Sequence, residues 1–343
     1  MNIPIKNIQT VALSDYYAVM NNNQFSRCQI ASIMKAENKN NEKILWEDHE
    51  HLRKELKRIY PIQSITEKKP SFSYLDLKIK LAELMFNNCQ ICERACKADR
   101  TIEKGDCGVK DPLIASEFLH LGEELPLVPS HTIFFSGCNF RCVYCQNWDI
   151  SQQPRMGITF TEEKLAKLID KRRKENSRNV NFVGGDPTPN LPYILRTMKL
   201  VEENIPVVWN SNMYLSYNAM KLLDGFVDLY LTDFKYGNNQ CALRLSGVSN
   251  YKEIVCRNHM IAWKAGNMII RHLILPNHIE CCSKPLLRWI FENIGNNVVI
   301  NIMDQYHPTY QSLNYPDISR RPLNSEISDV FNYAKDLGFK NLI

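Results

Sequence analysis

Six of the twelve cysteines fall in two tight groups, and a seventh trails the first of them. Cys138, Cys142 and Cys145 form a CxxxCxxC pattern within SGCNFRCVYCQNWDIS, and Cys89, Cys92 and Cys96 form CxxCxxxC, with Cys107 further on. Three thiolates so close in the chain can converge on one metal centre, and soft sulfur ligands suit iron–sulfur clusters or zinc. A structural zinc site recruits a fourth protein ligand and closes its shell. Three cysteines on a four-iron cluster leave one iron open for a substrate or cofactor. Spacing alone leaves both readings of the later group standing, including a zinc knuckle. The upstream four can close a structural zinc site or hold an auxiliary cluster, and we expect a structural metal knot that braces the segment leading into the main domain.

Grouped thiols also suit a reducing compartment better than a disulfide framework does. The start of the chain lacks the basic-then-apolar layout of a signal peptide, and no apolar run approaches the roughly 20 residues of a membrane-spanning helix. A cytoplasmic protein with no membrane partner is expected. The formal charge of +5 is spread along 343 residues, which gives no sign of a nucleic-acid partner.

The elements that must position these cysteines begin near residue 131. From there, short apolar runs alternate with amphipathic stretches six times, from HTIFFSG and TEEKLAKLIDKRRKE to VVINIMDQY and SEISDVFNYAKDLG. Runs rich in Val, Ile and Phe, separated by helices, suit parallel strands buried on both faces. The expected fold is α/β, six βα units wound by right-handed crossovers. Such folds carry their chemistry at the C-terminal ends of the strands. Cys138 follows the first strand, Gly184, Gly185 and Asp186 the second, Asn210 the third, and Asp233 and Lys235 lie on the fourth. Three segments are expected: a mostly helical extension over 1–88, a cysteine-rich metal-binding segment over 89–130, and a βα domain over 131–343, which the pattern alone allows to be an open doubly wound sheet or a barrel, complete or partial. In the first, Asp48, His49 and His51 read as a solvated helix face.

The cysteine loop, with the aromatic Tyr144 just before its last cysteine, resembles the cluster motif of the radical S-adenosylmethionine (SAM) superfamily. The resemblance implies a partial (β/α)6 TIM-type barrel. It also implies a [4Fe–4S] cluster on Cys138, Cys142 and Cys145, whose open iron binds SAM and whose electron splits SAM into methionine and a 5′-deoxyadenosyl radical. GGDP at Gly184 to Pro187 is similar to the GGE-type motif that binds the SAM amino group, with Asp186 where Glu is common. Asp233 and Lys235 look like the Asp-x-Lys motif of glycyl-radical-enzyme activases, although a buried structural ion pair is a competing account. Asn147 matches an Asn near SAM in the same enzymes. Asn210 and Asn212 share a strand face, Asn210 being the better candidate for a SAM contact. Arg271 and His272 leave opposite faces, and the resemblance favours His272 as the SAM-side residue.

Together with GGDPTPN, WNSNMYLS, LTDFKYG and RHLILPNH, the upstream cysteines make the chain similar to pyruvate formate-lyase activating enzyme-like proteins with an N-terminal cysteine extension. That group is related to the radical SAM component of the AmmeMemoRadiSam systems. An electron donor such as flavodoxin or ferredoxin is implied, and so is a substrate that is a protein or a small molecule, a glycyl radical being one conceivable product. The other function class is a non-catalytic metal-binding scaffold. Gln305 and Asn301 are weak candidates for substrate contact, and Met303 reads as core. Cys28, Cys241, Cys256, Cys281 and Cys282 read as small buried hydrophobes.

Overall fold

A computed structural model describes residues 11–66, 68–154 and 157–343. Four helices come first: α1 (Ser14–Met20), α2 (Arg27–Ile33), α3 (Glu42–Ile59) and α4 (Tyr74–Leu84). Their starts follow from local chemistry. Asn41 accepts from the Ile44 amide at the head of α3, and Ser73 with Asp76 forms a reciprocal capping box at the head of α4. After the cysteine-rich segment come β1 (Leu113–His120), β2 (Ser130–Phe135), the short α5 (Trp148–Ser151), β3 (Ile158–Thr159) and α6 (Glu162–Lys174). Next are β4 (Asn179–Gly184), α7 (Leu191–Leu200), β5 (Val207–Ser211), α8 (Tyr217–Leu223) and β6 (Leu229–Asp233). The chain closes with α9 (Asn239–Ser246), α10 (Tyr251–Ala265), β7 (Asn267–Leu273), α11 (Lys284–Asn293), β8 (Val299–Met303), α12 (Asn324–Asp336) and β9 (Asn341–Leu342).

The strands form one sheet in the order β3-β1-β2-β4-β5-β6-β7-β8-β9. From β2 onward every neighbouring pair is parallel, whereas β1 runs antiparallel to both β2 and β3. Strands β2 and β4 to β8 are the six expected from the sequence, and the fold is a partial (β/α)6 TIM-type barrel with N-terminal helices. The antiparallel β1 was not anticipated. It extends the sheet at the edge beside the first barrel strand.

Side-chain parity divides the barrel into an outer core and an inner one. Trp209, Tyr230, Met268, Ile270 and Ile300 point outward and pack under the helices. Val208, Leu229, Leu231, Ile269 and Val299 point inward and meet Leu13, Tyr16, Tyr17 and Leu127. Helix α1 therefore plugs the N-terminal mouth of the barrel, its Tyr16 amide donating to Asn267 Oδ1 at 2.7 Å. The other N-terminal helices are fastened to the loop before β6. Lys78 Nζ donates to the carbonyls of Leu222 at 3.0 Å and Asp224 at 2.7 Å and lies 3.2 Å from His49 Nε2. His49 is thus fully buried, not on a solvated face, because α3 turns that side toward α4. Among the described residues, no helix is long and apolar enough to cross a membrane.

Candidate active site

The loop leaving β2 carries the three cysteines at the C-terminal end of the sheet. Its shape is fixed by main-chain bonds to neighbours distant in sequence. Arg141 and Val143 donate from their amides to the carbonyls of Ser246 and Leu245, both at 2.9 Å, and the Cys138 amide donates to the Cys107 carbonyl at 3.3 Å. Each sulfur meets a polar neighbour. The Phe140 amide donates to Cys138 Sγ at 3.3 Å, and the hydroxyls of Ser246 and Ser151 lie 3.0 Å from Cys142 Sγ and Cys145 Sγ. Tyr144 is buried behind the loop, its hydroxyl 2.7 Å from that of Tyr236, which lies 2.6 Å from Ser246 Oγ. A hydrogen-bonded chain thus runs from Tyr144 to the Cys142 sulfur. Burial pushes the Cys138 thiol well up and the Cys142 thiol up to about 11, so a metal must displace protons to bind them.

The cysteines open onto a cavity of about 700 Å³ inside the upper barrel, a size typical of sites for small molecules and cofactors, roughly 300–1,000 Å³. Gly184 and Gly185 form part of its wall, and their lack of side chains is a steric requirement. A Cβ on Gly184, whose φ is +128°, would lie 2.1 Å from the Phe135 carbonyl oxygen, and one on Gly185 would lie 2.1 Å from that of Gly137. The second strand's turn is therefore pressed against the base of the cysteine loop. Asp186 is already engaged. Its carboxylate accepts from the amides of Thr188 and Asn212, both at 2.9 Å, and from Ser211 Oγ at 3.0 Å, tying the end of β4 to the end of β5.

The opposite wall comes from β5 to β8. Asn210 lines the cavity, and its buried Nδ2 has no hydrogen-bond partner. Asn212 instead donates to Asn139 Oδ1 at 2.6 Å and approaches Cys138 Sγ at 3.8 Å, so it braces the cysteine loop. Asp233 and Lys235 both line the cavity, with Nζ to Oδ2 at 2.7 Å. Burial works against the Lys235 charge, but Asp233 and the nearby Cys142 outweigh it and hold the pKa above the ordinary lysine value. Asn147, Gln305, Met303 and Asn301 also border the cavity, so Met303 is not simply core.

His272 requires a correction. Arg271 pairs in register with Asp233 on one side and Asn301 on the other, and these three face the cavity. His272 points the other way, under the helices, with Nδ1 3.0 Å from the Phe234 carbonyl and Nε2 2.8 Å from Ser283 Oγ. Burial lowers its pKa to about 4, which keeps the ring neutral. Arg271 pairs with acids inside the barrel. Its Nε and Nη2 donate to the two oxygens of Glu124 at 2.6 and 2.7 Å, and Nη2 also bonds Glu123. Asn301 Nδ2 donates to the same Glu124 at 2.8 Å. Glu123 and Glu124, from the loop between β1 and β2, thus enter the barrel and line the cavity. Sequence reasoning missed both, since an acidic pair in a loop carries no sign of pointing inward.

The upstream cysteines gather around Arg100, whose Nη1 donates to Cys107 Sγ at 3.5 Å and to Cys89 Sγ at 3.9 Å. Cys96 Sγ lies close by, since a Cβ on Gly105 would fall 3.3 Å from both Cys96 Sγ and Arg100 Nη1. Cys92 bridges to Leu215 just after β5, and burial pushes its thiol up to about 12. In neither cysteine group do three sulfurs all lie within 4.8 Å of one another. Among the described residues, one set of three or more His, Cys, Asp or Glu side chains has ligand atoms all within 4.8 Å of one another, and it is Cys241, His278, Cys281 and Cys282. Tetrahedral Zn–S bonds of about 2.3 Å put sulfurs only about 3.8 Å apart.

Residues 132–290 match the Radical SAM superfamily. The uncharacterized protein MJ0674 of Methanocaldococcus jannaschii is 48% identical over 301 residues, 85% of this chain and 87% of that one. A second protein of that organism, uncharacterized MJ0808, is 25% identical over 210 residues, 60% of each chain. The chain belongs to the radical SAM superfamily. Among solved structures, Streptococcus suis SuiB is similar with a TM-score of 0.42 and 12% identity, covering 62% of this chain and 47% of that one, so this chain spans about half of SuiB's length.

Superfamily membership implies a radical SAM enzyme with a [4Fe–4S] cluster and bound SAM. The residues present fit both groups. Three cysteine sulfurs open onto the cavity, a buried Asn210 amide lacks an acceptor, and a lysine and an arginine supply positive charge inside it.

Proposed function

We propose that this radical SAM enzyme holds its cluster on Cys138, Cys142 and Cys145, binds SAM in the adjoining cavity, and abstracts hydrogen from a protein or small-molecule substrate. The supporting observation is that the three sulfurs, the Gly184–Gly185 turn, Asn210 and the Asp233–Lys235 pair all border one cavity. When bound, the cluster supplies the electron that splits SAM into methionine and the 5′-deoxyadenosyl radical. The chain's own residues bind and orient. Main-chain carbonyls at Gly184 and Gly185 would hold the amino group, since these residues border the cavity and carry no side chains to block an approach. Asp186 holds that turn and the end of β5 together, since its three bonds leave it little freedom to meet the cofactor directly. Lys235 places a cation beside the cysteine loop that would hold the carboxylate, and Asn210 Nδ2 and Asn147 would donate to SAM oxygens. Tyr144 stiffens the loop through Tyr236 and Ser246. Arg271 takes the cavity position that the resemblance gave to His272.

Within the superfamily we read the chain as pyruvate formate-lyase activating enzyme-like, on the strength of Asp233-x-Lys235, Asn147 and the upstream cysteines. Those four, Cys89, Cys92, Cys96 and Cys107, are proposed to hold a second, structural metal centre whose backbone braces the cysteine loop through Cys107. A small electron-transfer protein such as flavodoxin or ferredoxin is the proposed reductant.

The decisive experiment is anaerobic reconstitution with iron and sulfide, reduction, addition of SAM and chromatographic assay of 5′-deoxyadenosine, with Cys142→Ala as control. Formation in the native protein alone is the expected result. An intact, reduced cluster that neither binds nor cleaves SAM would overturn the proposal.

A further inference from the structure

Four side chains outside the cavity come together at the same end of the barrel. Cys241 lies in the first turn of α9, after β6, where its amide donates to Asn238 Oδ1 at 2.8 Å. His278, Cys281 and Cys282 come from the connection between β7 and α11, where residues Ile279–Ser283 make a π-helical turn. Spacing of three and four residues puts His278, Cys281 and Cys282 on one face of that turn. The histidine's Nδ1 lies 3.5 Å from Cys241 Sγ, 3.3 Å from Cys281 Sγ and 3.7 Å from Cys282 Sγ. Cys281 Sγ lies 3.9 Å from Cys241 Sγ and 3.8 Å from Cys282 Sγ.

These distances have a simple source. A tetrahedral ion with Zn–S of about 2.3 Å and Zn–N of about 2.0 Å separates its sulfurs by about 3.8 Å and a sulfur from a nitrogen by about 3.5 Å. The five measured separations fall within a few tenths of an ångström of those edges. We propose that Cys241, His278, Cys281 and Cys282 bind one structural zinc ion.

The surroundings are built for such an ion. His278 Nε2 lies 2.9 Å from Asp317 Oδ2, which can only accept, and 3.3 Å from Arg244 Nη2, itself paired with Asp317; with the ring proton on Nε2, Nδ1 is the bare nitrogen facing the sulfurs. A carboxylate behind a ligating histidine is a recurrent support of metal sites. Asn238 Nδ2 donates to Cys241 Sγ at 3.3 Å and to the Cys281 carbonyl at 2.8 Å, holding the two loops together. Gly237 closes the contact, since a Cβ there would lie 2.8 Å from the carbonyl oxygens of both Cys281 and Cys282. Cys241, Cys282 and His278 are buried, and Cys281 is exposed, which provides an entry path. The set includes three sulfurs and no carboxylate, so zinc suits it better than magnesium or calcium.

The site has a structural consequence. Helix α9 begins at the proposed ion and ends at Ser246, whose carbonyl and hydroxyl meet the cysteine loop. The ion fixes one end of the helix whose other end positions Cys142. In the neighbouring connection, Ser283, which closes the π-helical turn, holds His272.

The test uses the full chain purified without oxygen, with zinc and iron counted by mass spectrometry. About one zinc per chain beyond whatever Cys89, Cys92, Cys96 and Cys107 hold is expected, retained when Cys138, Cys142 and Cys145 are all changed to Ser, and that one equivalent is lost in Cys241→Ser/Cys281→Ser while iron is unchanged. Cobalt substitution should give the intense visible bands of tetrahedral cobalt with sulfur-to-cobalt charge transfer. Should the double variant fail to fold, Asp317→Asn keeps all four ligands and is expected to weaken zinc retention against a chelator roughly 10- to 100-fold. A native protein with intact thiols and no zinc, a double variant with the same zinc content as the native protein, or a Cys241–Cys281 disulfide in the anaerobic protein would each overturn the assignment.

Discussion

Arg271→Met tests whether the ion cluster inside the barrel carries stability as its geometry implies. Arg271 donates two bonds to Glu124 and one to Glu123, with its side chain 16% exposed and those of the glutamates 2% and 6%. Burial alone would raise the Glu124 pKa, yet Arg271 and then Asn301 hold it below the ordinary carboxylate value. With charge centres about 4 Å apart and an effective dielectric of 20, each pairing is worth about 4 kcal/mol before desolvation. Methionine fills most of the arginine's volume but leaves Glu124 without its cation and Glu123 with only His120, whose Nδ1 lies 3.2 Å away. Breaking a buried pair in this way costs about 3–5 kcal/mol, which at a urea slope of about 3 kcal/mol per molar moves the midpoint down by roughly 1–1.7 M. The pH dependence gives a second handle. In the native protein Glu124 has a depressed pKa, so its contribution is present above the unfolded carboxylate value and is lost only as pH falls through the folded one. In the variant the folded pKa rises above the unfolded one, so the penalty is full at neutral pH and is relieved on acidification. Anaerobic urea melts of both proteins at pH 7.5 and pH 5 should therefore show a gap that narrows at the lower pH. A neutral-pH difference under about 1 kcal/mol, or one that does not change with pH, would refute the reasoning.

Gly185→Ala should lower the melting temperature and impair iron loading, because its Cβ would lie 2.1 Å from the Gly137 carbonyl oxygen beside Cys138; overpacking of this kind costs about 1–3 kcal/mol, and a variant with native melting and iron content would speak against the close contact. Burial lowers the Lys78 pKa to about 7, so the fold favours the neutral amine and the native protein should gain about 2 kcal/mol over Lys78→Met between pH 7 and pH 9. Urea melts at both pH values check this, and a constant difference would show that the amine is charged throughout. Cys89→Ser/Cys107→Ser should remove metal from the upstream centre while the cysteine loop keeps its iron, as counted by metal analysis and cluster absorbance.

The alternation of apolar runs and helices made the six parallel strands legible, because strands buried on both faces must be nearly continuous in hydrophobicity. That same continuity hid which face of each strand looks inward. In NMIIRHLIL, Ile269 and Leu273 share Arg271's face, whereas Ile270 and Ile274 share that of His272. Both faces are apolar, so no period decides between the two polar residues. Register does: Arg271 is aligned with Asp233 and Asn301, whose inward direction is set by the cavity. The burial of His49 was hidden for a related reason, since its partners Tyr74 and Lys78 lie on another helix.

Chemistry shows in a sequence when its ligands are close together along the chain. The loop with Cys138, Cys142 and Cys145 folds back on itself and could be read directly, as could the glycine pair that packs under it. The Arg271 cluster draws on residues 147 and 148 positions apart, and no local pattern joins them. The set of Cys241, His278, Cys281 and Cys282 lies between these cases. Three of its members stand as His-x-x-Cys-Cys, a spacing that puts them on one helical face, and that signal was available to a reader who took the adjacent cysteines as ligands and not as small hydrophobes. Only the fourth, Cys241, needs the fold, which brings the loop after β6 against the loop after β7. Because those two strands are neighbours in a parallel barrel, their C-terminal loops must meet, so a cysteine after one and a His-x-x-Cys-Cys after the next is itself a pattern by which such sites can be sought.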